Sequence, residues 1–128
     1  ELVKQKINPA GANISVLGLS FKENCPDIRN TKVLTVIEKL GEYNCNITIS
    51  DPYVVENEAK KRTGIKLKKI NKIFNQDALV FTVCHSDYLK MPLAQIKSML
   101  KPGGIIIDVK SIFHKDDFEG TDFRYWSL

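Results

Sequence analysis

The sequence has 128 residues, of which 43% are hydrophobic and 27% are charged, and its net charge at pH 7 is +4. This length and composition fit one compact globular domain, so we expect residues 1–128 to form a single unit in which residues 1–12 are a linker. No apolar run approaches the roughly 20 residues of a membrane-spanning helix. Residues 1–6 also lack the apolar centre of a signal peptide, which predicts a cytoplasmic protein without membrane contact.

The cysteines are Cys25, Cys45 and Cys84, an odd number at irregular spacing. They form no Cys-x-x-Cys pair, and no histidine stands at metal-ligand spacing from them. This pattern predicts neither a zinc site nor a disulfide framework.

Basic residues crowd into one stretch of the chain, residues 60–72. The stretch contains Lys60, Lys61, Arg62, Lys66, Lys68, Lys69 and Lys72. It is either a nucleic-acid patch or the solvated edge of a helix and a strand. Single-strand binders interleave aromatic residues for base stacking, and this stretch has none. We therefore favour the solvated edge and expect no nucleic-acid partner, with a basic nucleic-acid-binding domain as an alternative.

The chain begins with the pattern of a buried strand, residues 14–19, which are apolar apart from one serine and one glycine. A polar loop follows over residues 20–30. From residue 33 to residue 40, apolar side chains then recur at helical spacing. Asn30 or Thr31 is placed to cap the start of this helix.

The next segment predicts a strand, a short helix and a brief third strand. Residues 45–50 alternate apolar and polar side chains and stop at the turn-forming pair Asp51-Pro52. Residues 54–62 have the pattern of a short helix. Residues 65–67 then read as a short strand.

The second half of the chain contains the most apolar strand, residues 78–83. Pro92 suits the first turn of a helix that carries apolar residues as far as Leu100 and ends in the Lys101-Pro102-Gly103-Gly104 run. Residues 105–109 form the last strong strand. We expect the aromatic tail, residues 123–126, to dock onto the sheet.

Strands that alternate with helices predict a doubly wound α/β fold, a mostly parallel Rossmann-like sheet with helices on both faces. Such sheets bind ligands beyond the carboxyl ends of their strands, where the strand order reverses. We therefore expect the functional residues in the loops that follow the strands.

The loop after the first strand carries the chemistry of an anion site. Its backbone N–H groups stand before a helix, Lys22 and Arg29 add positive charge, and Phe21 can stack on a base or cover a sugar. A dinucleotide site would have the Gly-x-Gly-x-x-Gly pattern here, but only Gly18 is present. A plain solvated loop remains the alternative.

Other strand ends supply further candidates. Lys110 follows the last strong strand and can converge with Lys22 on one phosphate group. Asp51 could hold a ribose hydroxyl, but an Asp-Pro turn is the favoured explanation in the absence of the glycine pattern. Cys84 and His85 could form a nucleophilic pair, but adjacent residues in an extended loop usually point apart.

Several motifs in order resemble the C-terminal domain of the UDP-glucose/GDP-mannose dehydrogenase family. They are Val16-Leu17-Gly18-Leu19-Ser20-Phe21-Lys22, Asp27-Ile28-Arg29-Asn30, Asp51-Pro52, His85 with Tyr88, Pro102-Gly103, Asp108-Val109-Lys110 and Arg124-Tyr125-Trp126-Ser127-Leu128. The residue sequence of the first loop is most similar to the branch of the family that acts on UDP-N-acetylhexosamines. That branch serves the synthesis of bacterial surface polysaccharide, such as capsule.

The resemblance implies a function and a division of labour. Family members oxidise the C6 alcohol of a UDP-sugar to a carboxylate with NAD. It implies that Phe21, Lys22 and Lys110 contact the UDP-sugar, and that Arg29 reaches toward NAD bound mainly by an N-terminal domain. Lys110 occupies a position that is often arginine, which puts a bidentate phosphate contact in doubt.

The resemblance also implies what this chain lacks. The catalytic cysteine belongs to a central region that is not in this sequence, so we assign no catalytic and no metal-binding residue and predict that the chain alone is inactive. Its implied partners are the N-terminal and central domains of the same enzyme, in a homo-oligomer. A stand-alone Rossmann-like nucleotide-binding module is a further alternative.

Overall fold

The computed structural model describes all 128 residues. Five strands form one sheet: β1 (Asn13–Leu17), β2 (Asn46–Ser50), β3 (Gln76–Phe81), β4 (Leu100–Asp108) and β5 (Arg124–Ser127). The α-helices are α1 (Val33–Glu42), α2 (Glu56–Thr63), α3 (Ser86–Leu89) and α4 (Leu93–Ser98). Single 3-10 turns lie at Val3–Gln5, Ile70–Lys72 and Lys115–Phe118. None of the helices is long and apolar enough to cross a membrane.

Every strand pair is parallel, and the order across the sheet is β2-β1-β3-β4-β5. The chain therefore winds outward from β1 in one direction to β2 and in the other direction from β3 to β5. The strand order reverses between β1 and β3, whose last paired residues are Leu17 and Phe81. The doubly wound α/β prediction is confirmed, and the reversal point lies between the loops that follow these two strands.

The two faces of the sheet are covered separately because successive side chains of a strand point to opposite faces. On one face, Leu79, Phe81 and Ile106 pack with Ile96 of α4. On the other face, α1 covers the β1–β2 side of the sheet. The members of that second face include Ile14, Val16, Ile49, Val80 and Ile105.

Two predicted boundaries are wrong. Residues 65–67 are extended but form no strand. The backbone hydrogen bond that links this region to β2 comes after them, where the Lys68 N–H donates to the Ile49 carbonyl. Leu100 opens β4 instead of ending a helix, because its side chain is buried in the sheet core. The Pro102-Gly103-Gly104 run consequently lies inside β4, where Gly103 has a φ of +73° and the pairing with β3 is irregular.

Both termini contact the sheet. The aromatic tail docks as predicted, but it does so as the fifth strand, parallel to β4. Residues 1–12, predicted to be a linker, lie against the sheet, and the side chains of Leu2 and Ile7 pack on the cluster around Ile14. They border an apolar groove of about 470 Å³ that reaches Trp126.

Candidate functional site

The chain passes unusually close to itself where β1 ends. Gly18 has a φ of +108°, and a Cβ atom at this position would lie 2.7 Å from the Cβ of Val83. The Thr82 hydroxyl donates to the Gly18 carbonyl at 2.6 Å. Only glycine allows this backbone shape and this close approach together, so the loop after β1 is seated directly over the end of β3.

The carboxylate of Asp51 is the centre of a buried network at this end of the sheet. Its Oδ2 atom accepts the N–H groups of Leu19 and Ser20, at 2.7 and 3.0 Å. Its Oδ1 atom accepts those of Tyr53 and Val54, at 2.8 and 3.0 Å. These bonds tie the loop after β1 to the turn after β2.

The Asp51 side chain is 0% exposed. Burial alone would raise the pKa of its carboxyl group, but the hydrogen bonds from His85, Leu19, Ser20 and Tyr53 more than offset this and lower the pKa to about 2. No face of the carboxylate is left for a ribose hydroxyl, so that interpretation is wrong and the Asp-Pro turn interpretation is correct.

His85 completes the network from the loop after β3. Its Nε2 atom lies 3.0 Å from Asp51 Oδ2 and 3.1 Å from Ser20 Oγ, and its Nδ1 atom accepts the N–H of Asn24 at 3.0 Å. Both ring nitrogens are engaged and the residue is fully buried. The imidazole is therefore not available to activate Cys84, and the nucleophilic-pair interpretation is wrong.

The outer side of the same loop lines an open cleft of about 250 Å³. The cleft brings together Phe21, Lys22 and Lys110, the three residues predicted to contact a nucleotide-sugar. The ring of Phe21 is 56% exposed, although it is a large apolar side chain. The lining is completed by Ser20, Glu23, Asn30, Thr31, Lys32, Val33, Thr82 and Val83.

Lys32 is a third cation of this cleft, and the sequence analysis missed it. It stands immediately before α1, and Thr31 Oγ1 accepts the N–H of Val33 at 3.3 Å. The predicted cap by Asn30 or Thr31 is wrong, because Lys32 is itself the N-cap residue and no side chain caps the start of α1. The signal for Lys32 was present in the sequence, because a lysine at a helix start that follows a binding loop lies near the same strand ends. With Lys22 and Lys110, it makes the cleft positively charged despite Glu23.

Lys110 is positioned by the buried carboxylate of Asp108 at the end of β4. This carboxylate accepts the N–H groups of Lys110 and Phe113 and the hydroxyl of Tyr125, at 3.2, 2.9 and 2.8 Å. Burial, together with this bond, raises the pKa of the Tyr125 hydroxyl to about 12. The strand β5 and the segment after β4 thus fix the backbone from which Lys110 projects.

Arg29 does not line the cleft. Its guanidinium group bonds both carboxylate oxygens of Asp27, with the shortest contact at 2.9 Å, and these bonds lower the pKa of Asp27 to about 2. It lies on a separate polar surface beside Glu58 and Arg62. The predicted role of Arg29 toward NAD stays a prediction.

The basic residues 60–72 are spread over the end of α2, the extended segment and the 3-10 turn. Arg62 is paired with Glu58 on α2. Lys68 and Lys69 border a groove that also contains Glu56 and Asp87. Because acidic groups share this surface, it is not a uniformly basic patch.

A protein-family model matches most of the chain. The family model described as "UDP-glucose/GDP-mannose dehydrogenase family, UDP binding domain" matches residues 15–115. Protein CapL of Staphylococcus aureus is 42% identical over 128 residues, which is 100% of this chain and 30% of that protein. The UDP-N-acetyl-D-glucosamine 6-dehydrogenase of Salmonella typhi is 35% identical over 111 residues, which is 87% of this chain and 26% of that protein.

A solved structure agrees. The crystal structure of NDP-N-acetyl-D-galactosaminuronic acid dehydrogenase from Methanosarcina mazei Go1 superposes with a TM-score of 0.86 at 25% identity, over 99% of this chain and 26% of that one. The chain therefore spans under a third of the length of these relatives. The relatives agree with the predicted UDP-N-acetylhexosamine branch. By its matched domain and its relatives, the chain belongs to the UDP-glucose/GDP-mannose dehydrogenase family.

Proposed function

We propose that this chain binds the UDP-sugar of an NAD-dependent nucleotide-sugar 6-dehydrogenase. The substrate would be a UDP-N-acetylhexosamine or UDP-glucose, oxidised to the uronic acid for bacterial surface polysaccharide. The observation that carries the proposal is the cleft in which Lys22, Lys32 and Lys110 surround an exposed Phe21. Three ammonium groups on one rim suit a diphosphate, and an exposed ring suits a base or a sugar.

In this proposal, Lys22 and Lys110 contact the diphosphate from two different strand ends. Each lysine acts as a point charge and not as the planar fork of an arginine, so neither fixes the orientation of a phosphate by itself. The diphosphate is instead oriented because the two charges lie on separate parts of the backbone, each fixed by hydrogen bonds. One is the loop after β1, bound to Asp51, and the other is the end of β4, bound to Asp108. Phe21 covers the nucleoside or sugar.

NAD does not fit the reversal point of this sheet. A dinucleotide there needs a glycine-rich turn that lets the pyrophosphate approach the backbone. Here Val83 lies against Gly18, and the Asn24 backbone and the His85 ring fill the space between the two loops. This supports a division of labour in which an N-terminal domain holds most of the NAD. In this arrangement, Arg29 faces the bound NAD. A central domain connects the N-terminal domain to this chain, and the whole enzyme is a homo-oligomer.

The first test is a titration of the chain with UDP, followed by amide chemical shifts in NMR spectra. We expect saturable shifts at residues 20–23 and 110–111, and dissociation constants raised about five- to tenfold by Lys22→Ala and by Lys110→Ala. Lys66→Ala is the matched control, because this exposed lysine lies outside the cleft. An absence of shifts at millimolar UDP, or an equal loss in the control, would contradict the proposal.

Two further arms separate the alternatives. Tight NAD binding by the chain alone would favour a stand-alone dinucleotide module. Binding to mixed-sequence RNA or DNA that weakens steeply with salt would favour a nucleic-acid protein that uses residues 60–72. We expect neither, and we expect no NADH production when UDP-sugar and NAD are added to the chain.

A further inference from the structure

The short segment that carries Phe21 and Lys22 is fastened at both of its ends. At Ser20, the backbone N–H donates to Asp51 Oδ2 at 3.0 Å. At Asn24, the backbone N–H donates to His85 Nδ1 at 3.0 Å. Three exposed side chains, those of Phe21, Lys22 and Glu23, lie between these anchors and line the cleft. The geometry of the cleft therefore depends on groups that never touch a ligand in it.

The hydrogen bonds define which nitrogen of His85 carries the proton. Because Nδ1 accepts from the amide of Asn24, it must carry a lone pair and no hydrogen. The proton of the ring then lies on Nε2, directed at Asp51 Oδ2 and at Ser20 Oγ. The Ser20 hydroxyl can accept here, since its own hydrogen is donated to the Lys22 carbonyl at 3.0 Å.

The Asn24 anchor is reciprocal. Asn24 has a φ of +54°, a left-handed shape that asparagine tolerates, and its side-chain Oδ1 accepts the N–H of Ser86 at 2.9 Å. The backbone N–H of Asn24 thus donates to the ring of His85, and the side chain of Asn24 accepts the backbone N–H of Ser86, the residue after His85. These two hydrogen bonds join the loop after β1 to the loop after β3.

The His85 ring has no freedom to turn away from these partners. It is fully buried, with the Tyr53 ring at 4.9 Å and the Tyr88 ring at 5.4 Å between centroids. The titratable groups that face it are the Asp51 carboxylate and these two phenols, and the Tyr88 hydroxyl is occupied with the Ser50 carbonyl.

We propose that His85 is a positioning residue for the nucleotide-sugar cleft: as a neutral ring protonated on Nε2, it holds the amide of Asn24 and so keeps Phe21 and Lys22 aimed at the ligand. The effect on ligand affinity rests on the function proposed above. The effect on the loop does not, because it follows from the contacts of His85 alone.

Two substitutions separate the two nitrogens. In His85→Asn, the side-chain oxygen can take the place of Nδ1 and still accept from Asn24. In His85→Gln, the amide nitrogen can take the place of Nε2 and still donate to Asp51, but the Asn24 amide loses its acceptor. A role in packing alone would make the two variants equivalent, whereas the proposed role makes His85→Asn the better substitute.

The test measures hydrogen exchange at the amides of residues 22–24 and the UDP dissociation constant for wild type and both variants. We expect exchange and affinity close to wild type in His85→Asn, and faster exchange with an affinity about tenfold weaker in His85→Gln. Ile106→Val is the stability control, because it thins the core on the face packed by α4. It should leave both readouts unchanged.

The wild-type chain provides a readout that needs no variant. Nitrogen-15 spectra of His85 should show Nδ1 without a proton and hydrogen-bonded to the amide of Asn24. A protonated Nδ1, or equal effects of the two substitutions on exchange, would overturn the proposal. If wild type fails to bind UDP, the proposed function fails, while hydrogen exchange still decides the role of His85.

Discussion

The inner side of the loop over residues 20–30 is a closed polar network, whereas its outer side is an open cleft. On the inner side, Ser20 and His85 are buried, and every side-chain polar atom that is buried has a hydrogen-bond partner. On the outer side, Phe21, Lys22 and Lys110 are exposed. One stretch of backbone joins the two environments, since residues 20 and 21 are consecutive.

The difference shows how a rigid loop and a free binding surface are made from the same residues. Five donors converge on one buried carboxylate and fix the backbone, and each bond is worth more there than it would be in water. The lysines of the cleft gain little stability from exposed charge. Changes on the inner side should therefore cost stability, and changes on the outer side should cost ligand affinity.

The largest effect should come from Asp51→Ala. It leaves the N–H groups of Leu19, Ser20, Tyr53 and Val54 without their acceptor and removes one of the two acceptors of the His85 ring, so we expect the free energy of unfolding to fall by about 3 kcal/mol or more. Urea denaturation measures this. Asp27→Ala is the matched control, because Asp27 is a partly exposed acid whose loss should cost much less stability than that of Asp51. Equal losses of unfolding free energy in the two variants would contradict the stabilising role of the inner network.

Gly18→Ala should be the next most damaging change. A methyl group would meet Val83 at 2.7 Å in a backbone conformation with φ of +108°, so we expect a loss of about 2–3 kcal/mol in unfolding free energy. Gly41→Ala offers the opposite control, because nothing lies within 4 Å of the added carbon in α1. That helix position should gain about 0.5 kcal/mol. A harmless Gly18→Ala would show that the loop is not seated tightly.

Acid should weaken the inner network over a defined range. The pKa of Asp51 is lowered from 3.8 to about 2 in the folded chain, so its contribution is complete above the unfolded value and is lost as the pH falls toward the folded value. We expect a loss of about 2 kcal/mol across this range in urea titrations. In Asp51→Asn, the slope over the same range should flatten, and an unchanged slope would assign the acid sensitivity to other groups.

The smallest effect on stability should come from Lys32→Ala, which tests the outer side. We expect the free energy of unfolding to change by less than about 0.5 kcal/mol, because an exposed lysine makes few contacts. The UDP dissociation constant should rise about threefold, the effect of one solvated charge near a phosphate. Calorimetry or NMR titration measures this, with Lys60→Ala as the distant control. An unchanged dissociation constant would restrict the phosphate contacts to Lys22 and Lys110.

The sequence by itself determined the alternation of strands and helices and the loops that carry the cleft. Residues 14–19 and 78–83 are predominantly apolar runs, and such runs identify buried parallel strands without any tertiary information. The absence of a glycine fingerprint after the first strand likewise predicted that no dinucleotide would lie there. The motifs around Phe21, Lys22 and Lys110 pointed to the family to which the chain belongs.

Tertiary structure alone decided which polar residues would be buried. Ser20, Asp51 and His85 stand 31 and 34 residues apart along the chain, and nothing local distinguishes them from solvated turn residues. The fold of the tail was also decided at a distance, because β5 exists only through its pairing with β4. Periodicity reports the environment of neighbouring residues, whereas a hydrogen bond between loops depends on where the sheet places the ends of its strands. For that reason, the sequence was enough to predict the exposed ligand-binding side of the loop. Only the folded chain revealed the buried hydrogen bonds on its inner side that hold the loop in place.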